Sequence, residues 1–235
     1  MSTVAKRYQD GSYASQNPGF GDRDAAWKAG HILRMIRRNS IPHTTIAEVG
    51  CGGGAILVHL QRELEKDVCL TGYEPMPEGY AKALATRNAR LDFQNCGIEE
   101  LAGDHFDLVL CIDVFEHVED YFTFLRKLAT LGDQFIFHIP LDMNAQMILR
   151  GSPILRVRNK VGHLHYFDRD TALAALSECG FSVIESVYTF GGESGYSSVF
   201  YALMKLPRRL LASLFPHWTA RALGGFSLLV HAQAE

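Results

Sequence analysis

No stretch of this 235-residue chain approaches the ~18 consecutive apolar residues of a membrane-spanning helix, and its first residues lack the apolar core of a secretory signal. Those two absences lead us to expect a cytoplasmic protein with no membrane span. Cysteine is sparse, five residues at 51, 69, 96, 111 and 179 with no Cys-x-x-Cys pair, which argues against a disulfide framework and for buried reduced thiols. No repeat or low-complexity run divides the sequence, and its length suits one large α/β domain with a real core. Charge of one sign is also lacking. The net charge is −3, with 14 basic and 19 acidic residues in 1–139 against 9 and 7 in 140–235. The second part is only mildly basic, too weakly for a nucleic-acid partner.

What stands out instead is Ile46-Ala47-Glu48-Val49-Gly50-Cys51-Gly52-Gly53-Gly54-Ala55. A short branched apolar run reads as a buried strand, breaks into four glycines within five residues, and resumes as a helix from Ala55. Glycines let the backbone turn tightly and let a flat or charged ligand approach its N–H groups. Nicotinamide and flavin enzymes use such loops too, but two acids sharpen the pattern. Glu48 lies two residues before Gly50, and Glu74 ends the next expected strand, Val68 to Glu74, where a carboxylate can accept both hydroxyls of a ribose.

Here the chain resembles the class I (Rossmann-like) S-adenosylmethionine (SAM) dependent methyltransferases of the small-molecule type, whose first motif, Glu/Asp-x-Gly-x-Gly-x-Gly, stands as Glu48, Gly50, Gly52 and Gly54. The resemblance covers about residues 28–235, closely through 140 and loosely after. It implies a doubly wound, seven-stranded, mostly parallel α/β sheet, with an antiparallel seventh strand between strands five and six. It implies SAM as cofactor, the loop from Glu48 through Gly50, Cys51, Gly52 and Gly54 beneath it, Glu74 on the ribose, and Pro75 and Met76 along the adenine. Relatives often place an acid on the adenine amino group; here that position falls on Gly97, leaving the backbone around Gly97 and Ile98 to hold the adenine edge. Ile112 and Asp113 would flank the methionine half. A nicotinamide-dependent oxidoreductase and a non-catalytic SAM-binding module are the rivals from other classes. The first has no use for Glu48, and a binding module has no need of the polar residues after strand four.

The rest of the chain reads in order as an N-terminal arm and helix (1–40), a SAM-binding half (44–139) and a substrate half (140–235) with insertions at 140–165 and 191–225. In relatives, an arm such as residues 1–22, with Tyr8, Tyr13 and Phe20, closes over cofactor and substrate. Helices are expected at 25–39, 77–88, 122–131, 143–150, 168–179 and 197–204, and strands at 90–94, 106–112, 134–139, 181–190 and 226–232.

The fourth strand ends in Asp113-Val114-Phe115-Glu116-His117, three titratable residues at spacing 0, 3 and 4 that can converge on one side of a turn. They fit a general base, His117 or Asp113, or a divalent-ion site of Asp113, Glu116 and His117, or a structural brace. The stretch is similar to the Glu-x-x-Glu-His of ubiquinone-pathway and small-RNA O-methyltransferases that use a divalent ion. His138 ends strand five, and His163 and His165 alternate before the next helix, so one of these two faces the pocket as a base or a further ligand. The expected function is methyl transfer from SAM to a small molecule, a hydroxyl oxygen of a sugar-like, phosphorylated or other polar metabolite, with an amine as the alternative acceptor. Arg150, Arg156, Arg158 and Lys160 favour an anionic acceptor. The expected assembly is a monomer or homodimer.

Overall fold

The computed structural model describes residue 19 and residues 22–101, 103–190 and 210–235. Most of the arm, the loop at 191–195 and the segment at 197–204 therefore lie outside the described residues. The elements are α1 (Asp22–Asn39), β1 (Thr45–Val49), α2 (Ala55–Glu63), β2 (Cys69–Tyr73), α3 (Pro77–Leu84), β3 (Leu91–Gln94), β4 (Phe106–Ile112), α4 (Tyr121–Leu128), β5 (Gly132–Pro140), α5 (Ala145–Arg150), α6 (Ser152–Lys160), α7 (Arg169–Glu178), β6 (Phe181–Phe190), α8 (Pro216–Leu223) and β7 (Phe226–Ala234). They build one seven-stranded sheet in the order β3-β2-β1-β4-β5-β7-β6, with β7 antiparallel to both neighbours. This is the expected doubly wound sheet, its last strand inserted where the resemblance put it.

Strand residues alternate between two cores, as the pleat requires. Ala47, Val49, Val109, Cys111, Phe135 and Phe137 face a layer containing α4 and α7, while Ile46, Leu70, Leu108, Leu110 and Ile136 face α1 and α2. Both faces are covered, which is why the central strands read as near-continuous apolar runs.

Two expectations change at helix ends. The helix after β2 stops at Leu84, not 88, because the chain turns there and Asn88 bridges back to Leu91. The insertion after β5 holds two helices where one and a basic tail were expected. Gly151, at φ +67°, ends α5, and Pro153 in the first turn starts α6. The helix start at Asp168 is as expected: its carboxylate accepts from Thr171 N, and the Thr171 hydroxyl accepts from Asp168 N, a reciprocal cap.

Candidate active site

The glycine loop depends first on backbone angles that only glycine adopts readily. Gly50, Gly52 and Gly54 all sit in the left-handed region, at +76°, +54° and +74°. A Cβ on Gly54 would also meet the Phe93 ring at 2.6 Å, so only glycine fits there. The N–H groups of Gly50 and Cys51 both donate to the Tyr73 carbonyl, at 2.8 and 3.0 Å, fixing the loop across the end of β2. Glu74, buried just past that strand, accepts from Gly52 N at 2.7 Å and from Met76 N at 2.8 Å. Burial raises its carboxyl's pKa, and these two donors oppose the shift. Pro75 is exposed and Met76 buried beside it; Gly97 is extended, with open space where a side chain would go, and Ile98 is buried behind it. Glu99 and Glu100 are exposed, and Glu100 accepts from Gly97 N.

Glu48 is buried at the end of β1, and its Oε2 has no hydrogen-bond partner. Burial pushes its carboxyl up to about 8, with nearby Lys28 pulling the other way. Because the unfolded acid ionises from about 4.5, this group's contribution to stability is full below that pH and is lost as pH rises toward 8. Glu48→Gln is therefore expected to narrow or reverse any stability deficit as pH rises: urea unfolding at pH 4.5 and 8.5 should show the variant gaining on the parent by about 1 kcal/mol or more.

Asp113 stands at φ +55°, an uncommon backbone for aspartate. Its two carboxylate oxygens are taken, one by Lys28 Nζ at 2.6 Å and the other by His138 Nδ1 at 2.6 Å. Burial alone would raise its pKa, but those partners hold it well below the usual carboxylate range. His138 pairs in turn through Nε2 with Thr189, whose hydroxyl donates to the Ser227 carbonyl. Lys28 also reaches Asp24 at 3.2 Å. Burial works against its charge, yet Asp113 and Asp24 raise its pKa above the usual lysine range. The sequence reading passed over Lys28. It did carry a signal, since Lys28 interrupts a face of α1 otherwise made of Ala25, Ala29, Ile32 and Ile36.

The second group forms around Glu116, whose two carboxylate oxygens are buried without a hydrogen-bond partner. Burial and the nearby Asp113 charge push this carboxyl well above its ordinary range. Ligand atoms of Glu116, His117 and His163 lie within 4.8 Å of one another. The rings of His117 and His163 meet edge to face at 4.8 Å, and His163 Nδ1 is 2.5 Å from Asp142 Oδ2. Asp113, expected beside Glu116 and His117 as a ligand, is instead committed to Lys28 and His138, and His163 completes the group. His165 donates through Nε2 to the Val118 carbonyl and packs on the Tyr121 ring, so it braces the turn. Neither Asp142 nor Thr189 was singled out from the sequence; nothing in their local pattern marks them.

A family model described as a methyltransferase domain matches residues 23–186. The chain belongs to the SAM-dependent methyltransferases. Among curated relatives, the ubiquinone biosynthesis O-methyltransferase of Azorhizobium caulinodans is 34% identical over 103 residues, covering 42% of this chain and 39% of that protein. Its counterpart in Yersinia enterocolitica is 31% identical over 118 residues, 48% of each. The chain thus spans less than half the length of these relatives. The fold is similar to that of magnesium protoporphyrin IX methyltransferase from Synechocystis with S-adenosylhomocysteine (SAH) bound, with a TM-score of 0.59 at 15% identity over 89% of this chain and 83% of that one. It is also similar to the N-methyltransferase NodS from Bradyrhizobium japonicum, also with SAH (TM-score 0.57, 16% identity, 88% and 85%).

The methyltransferase's own residues fit that cofactor. An orphaned buried carboxylate oxygen on Glu48 suits the ammonium of the methionine moiety, and the left-handed glycines turn the loop tightly enough to present its backbone to a ligand. Glu74 sets a buried carboxylate beside the loop at the end of β2.

Proposed function

We propose that this methyltransferase carries the methyl group of SAM to a hydroxyl oxygen of a small molecule seated beside Glu116, His117 and His163. The observation that carries this reading is the Asp142–His163 pair. A carboxylate on Nδ1 fixes the tautomer that leaves Nε2 able to take a proton, and it balances the charge that then forms on the ring. The bound cofactor supplies an activated methyl on a sulfonium, so the chain has only to align the acceptor and receive its proton. Glu74 holds the ribose, Glu48 the ammonium, and the backbone at Gly97 and Ile98 the adenine edge. Residues 44–139 serve the cofactor and residues 140–235 the acceptor. A neutral amine acceptor needs no base before attack, and a SAM-holding module needs none at all; the O-methyltransferase names of the curated relatives point the same way. Arg150, Arg156, Arg158 and Lys160 are exposed on α5 and α6, so an anionic acceptor is not proposed on their account.

Incubation with methyl-labelled SAM and a metabolite extract tests this reading, the expected product being a methyl ether. Label on nitrogen alone, or in no compound, would overturn it.

The unpartnered oxygens of Glu116 beside two imidazoles favour a second reading, a divalent ion held by Glu116, His117 and His163 with Asp142 orienting His163 from behind. Under the proton-acceptor reading, activity survives exhaustive chelation. Loss on chelation and recovery with Mg²⁺, Mn²⁺ or Zn²⁺, at unchanged SAH affinity, would establish the ion.

A further inference from the structure

Helices from the two longest acid-free stretches of the sequence pack against each other. Residues 143–167 carry four basic side chains and no acidic one, and residues 194–234 likewise carry four and none. In the fold α5 packs against both α6 and α8, so described helices of the two stretches lie side by side. Among the described residues, every large apolar side chain more than half exposed lies in 148–155 or 210–218; Leu149 is 86% and Trp218 70% exposed. Those helices protect little core. α5 buries no residue, α6 only Pro153 and α8 only Thr219 and Ala220, so core packing does not account for the exposed Leu149, Leu155, Leu214, Phe215 and Trp218. The face also has a definite place. Pro140 at the end of β5 pairs with Ser227 at the start of β7, so α5 and α8 flank the carboxyl edge of the parallel strands, the edge that carries the glycine loop.

We propose that this face docks on the surface of an anionic phospholipid bilayer, its leucines and aromatics entering the head-group layer and Arg150 and Arg156 meeting lipid phosphates. Apolar side chains mixed with arginine, a tryptophan among them, are what an interfacial segment presents. Charge decides against a second copy as occupant, because two such faces would bring cation against cation. Among the described residues no helix is long and apolar enough to cross a membrane, in keeping with a face that lies on the bilayer.

Co-sedimentation of the full chain with vesicles tests the proposal. Partition onto mixed phosphatidylcholine and phosphatidylglycerol vesicles should exceed that onto phosphatidylcholine alone by roughly 25-fold or more, and high salt should remove most of the difference. Trp218 emission should shift to the blue on the mixed vesicles. Arg150→Gln with Arg156→Gln should weaken partition roughly fivefold for each arginine. Leu149→Ser with Trp218→Ser should abolish it while SAH affinity and melting temperature stay at the parent's values, showing the fold intact. Absence of partition onto the anionic vesicles, or partition that both variant pairs leave unchanged, overturns the proposal. So does a concentration-dependent doubling of mass, without vesicle binding, that Leu149→Ser with Trp218→Ser removes, since the face then joins two copies. None of these measurements uses methyl transfer, so the outcome is separate from the identity of the acceptor.

Discussion

Glu74→Ala is expected to weaken SAH binding about a hundredfold, roughly 3 kcal/mol, in a calorimetric titration. Two losses combine. The carboxylate proposed to meet the ribose hydroxyls is gone, and each charge-assisted hydrogen bond of that kind contributes about 1.5–3 kcal/mol. The N–H groups of Gly52 and Met76 also lose the oxygens that hold them at 2.7 and 2.8 Å, so the loop is no longer shaped before the ligand arrives. Glu74→Gln should fall between, because its amide nitrogen would face one N–H donor with another. A dissociation constant for the alanine variant within threefold of the parent's would show that Glu74 neither meets the ribose nor shapes the loop for the ligand.

His163→Ala should lower kcat by roughly 10² to 10⁴, the range for a positioned general base, with SAH affinity unchanged within twofold. Asp142→Asn should lose less, since the ring remains but its tautomer is no longer enforced by a carboxylate 2.5 Å away. Single-turnover transfer of labelled methyl to the acceptor found in the extract separates chemistry from binding. An alanine variant that keeps the parent's kcat would remove His163 from the reaction. The same assay with His117→Ala tells the readings apart: a neighbouring ring that only packs costs little, whereas an ion ligand costs as much as His163.

The parts of this protein that were legible in the sequence are those whose conformation depends on residues a few positions away. The left-handed angles of Gly50, Gly52 and Gly54 follow from the absence of a Cβ, and β4 and β6 begin and end where their apolar runs do. The cap at Asp168 is equally local. Even Lys28 left a trace, a single charge on an apolar helical face. The α5–α6 break was harder to see, because Gly151 and Pro153 also suit an irregular loop.

The sequence by itself determined a doubly wound methyltransferase sheet, the glycine loop and the two acids at the ends of β1 and β2. Which titratable groups work together was decided only by the tertiary structure. Lys28 and Asp113 lie in different elements joined only through the folded core, His138 and Thr189 are 51 residues apart, and Asp142 and His163 are 21 apart. Such partners meet because the sheet sets β5 beside both β4 and β7 and returns the insertion after β5 to the end of β4. Asp113 shows the consequence most plainly. Its spacing to Glu116 and His117 permits a shared site, but a partly buried carboxylate needs an opposite charge and hydrogen-bond partners, and the fold supplies Lys28 from α1 and the His138 ring from β5.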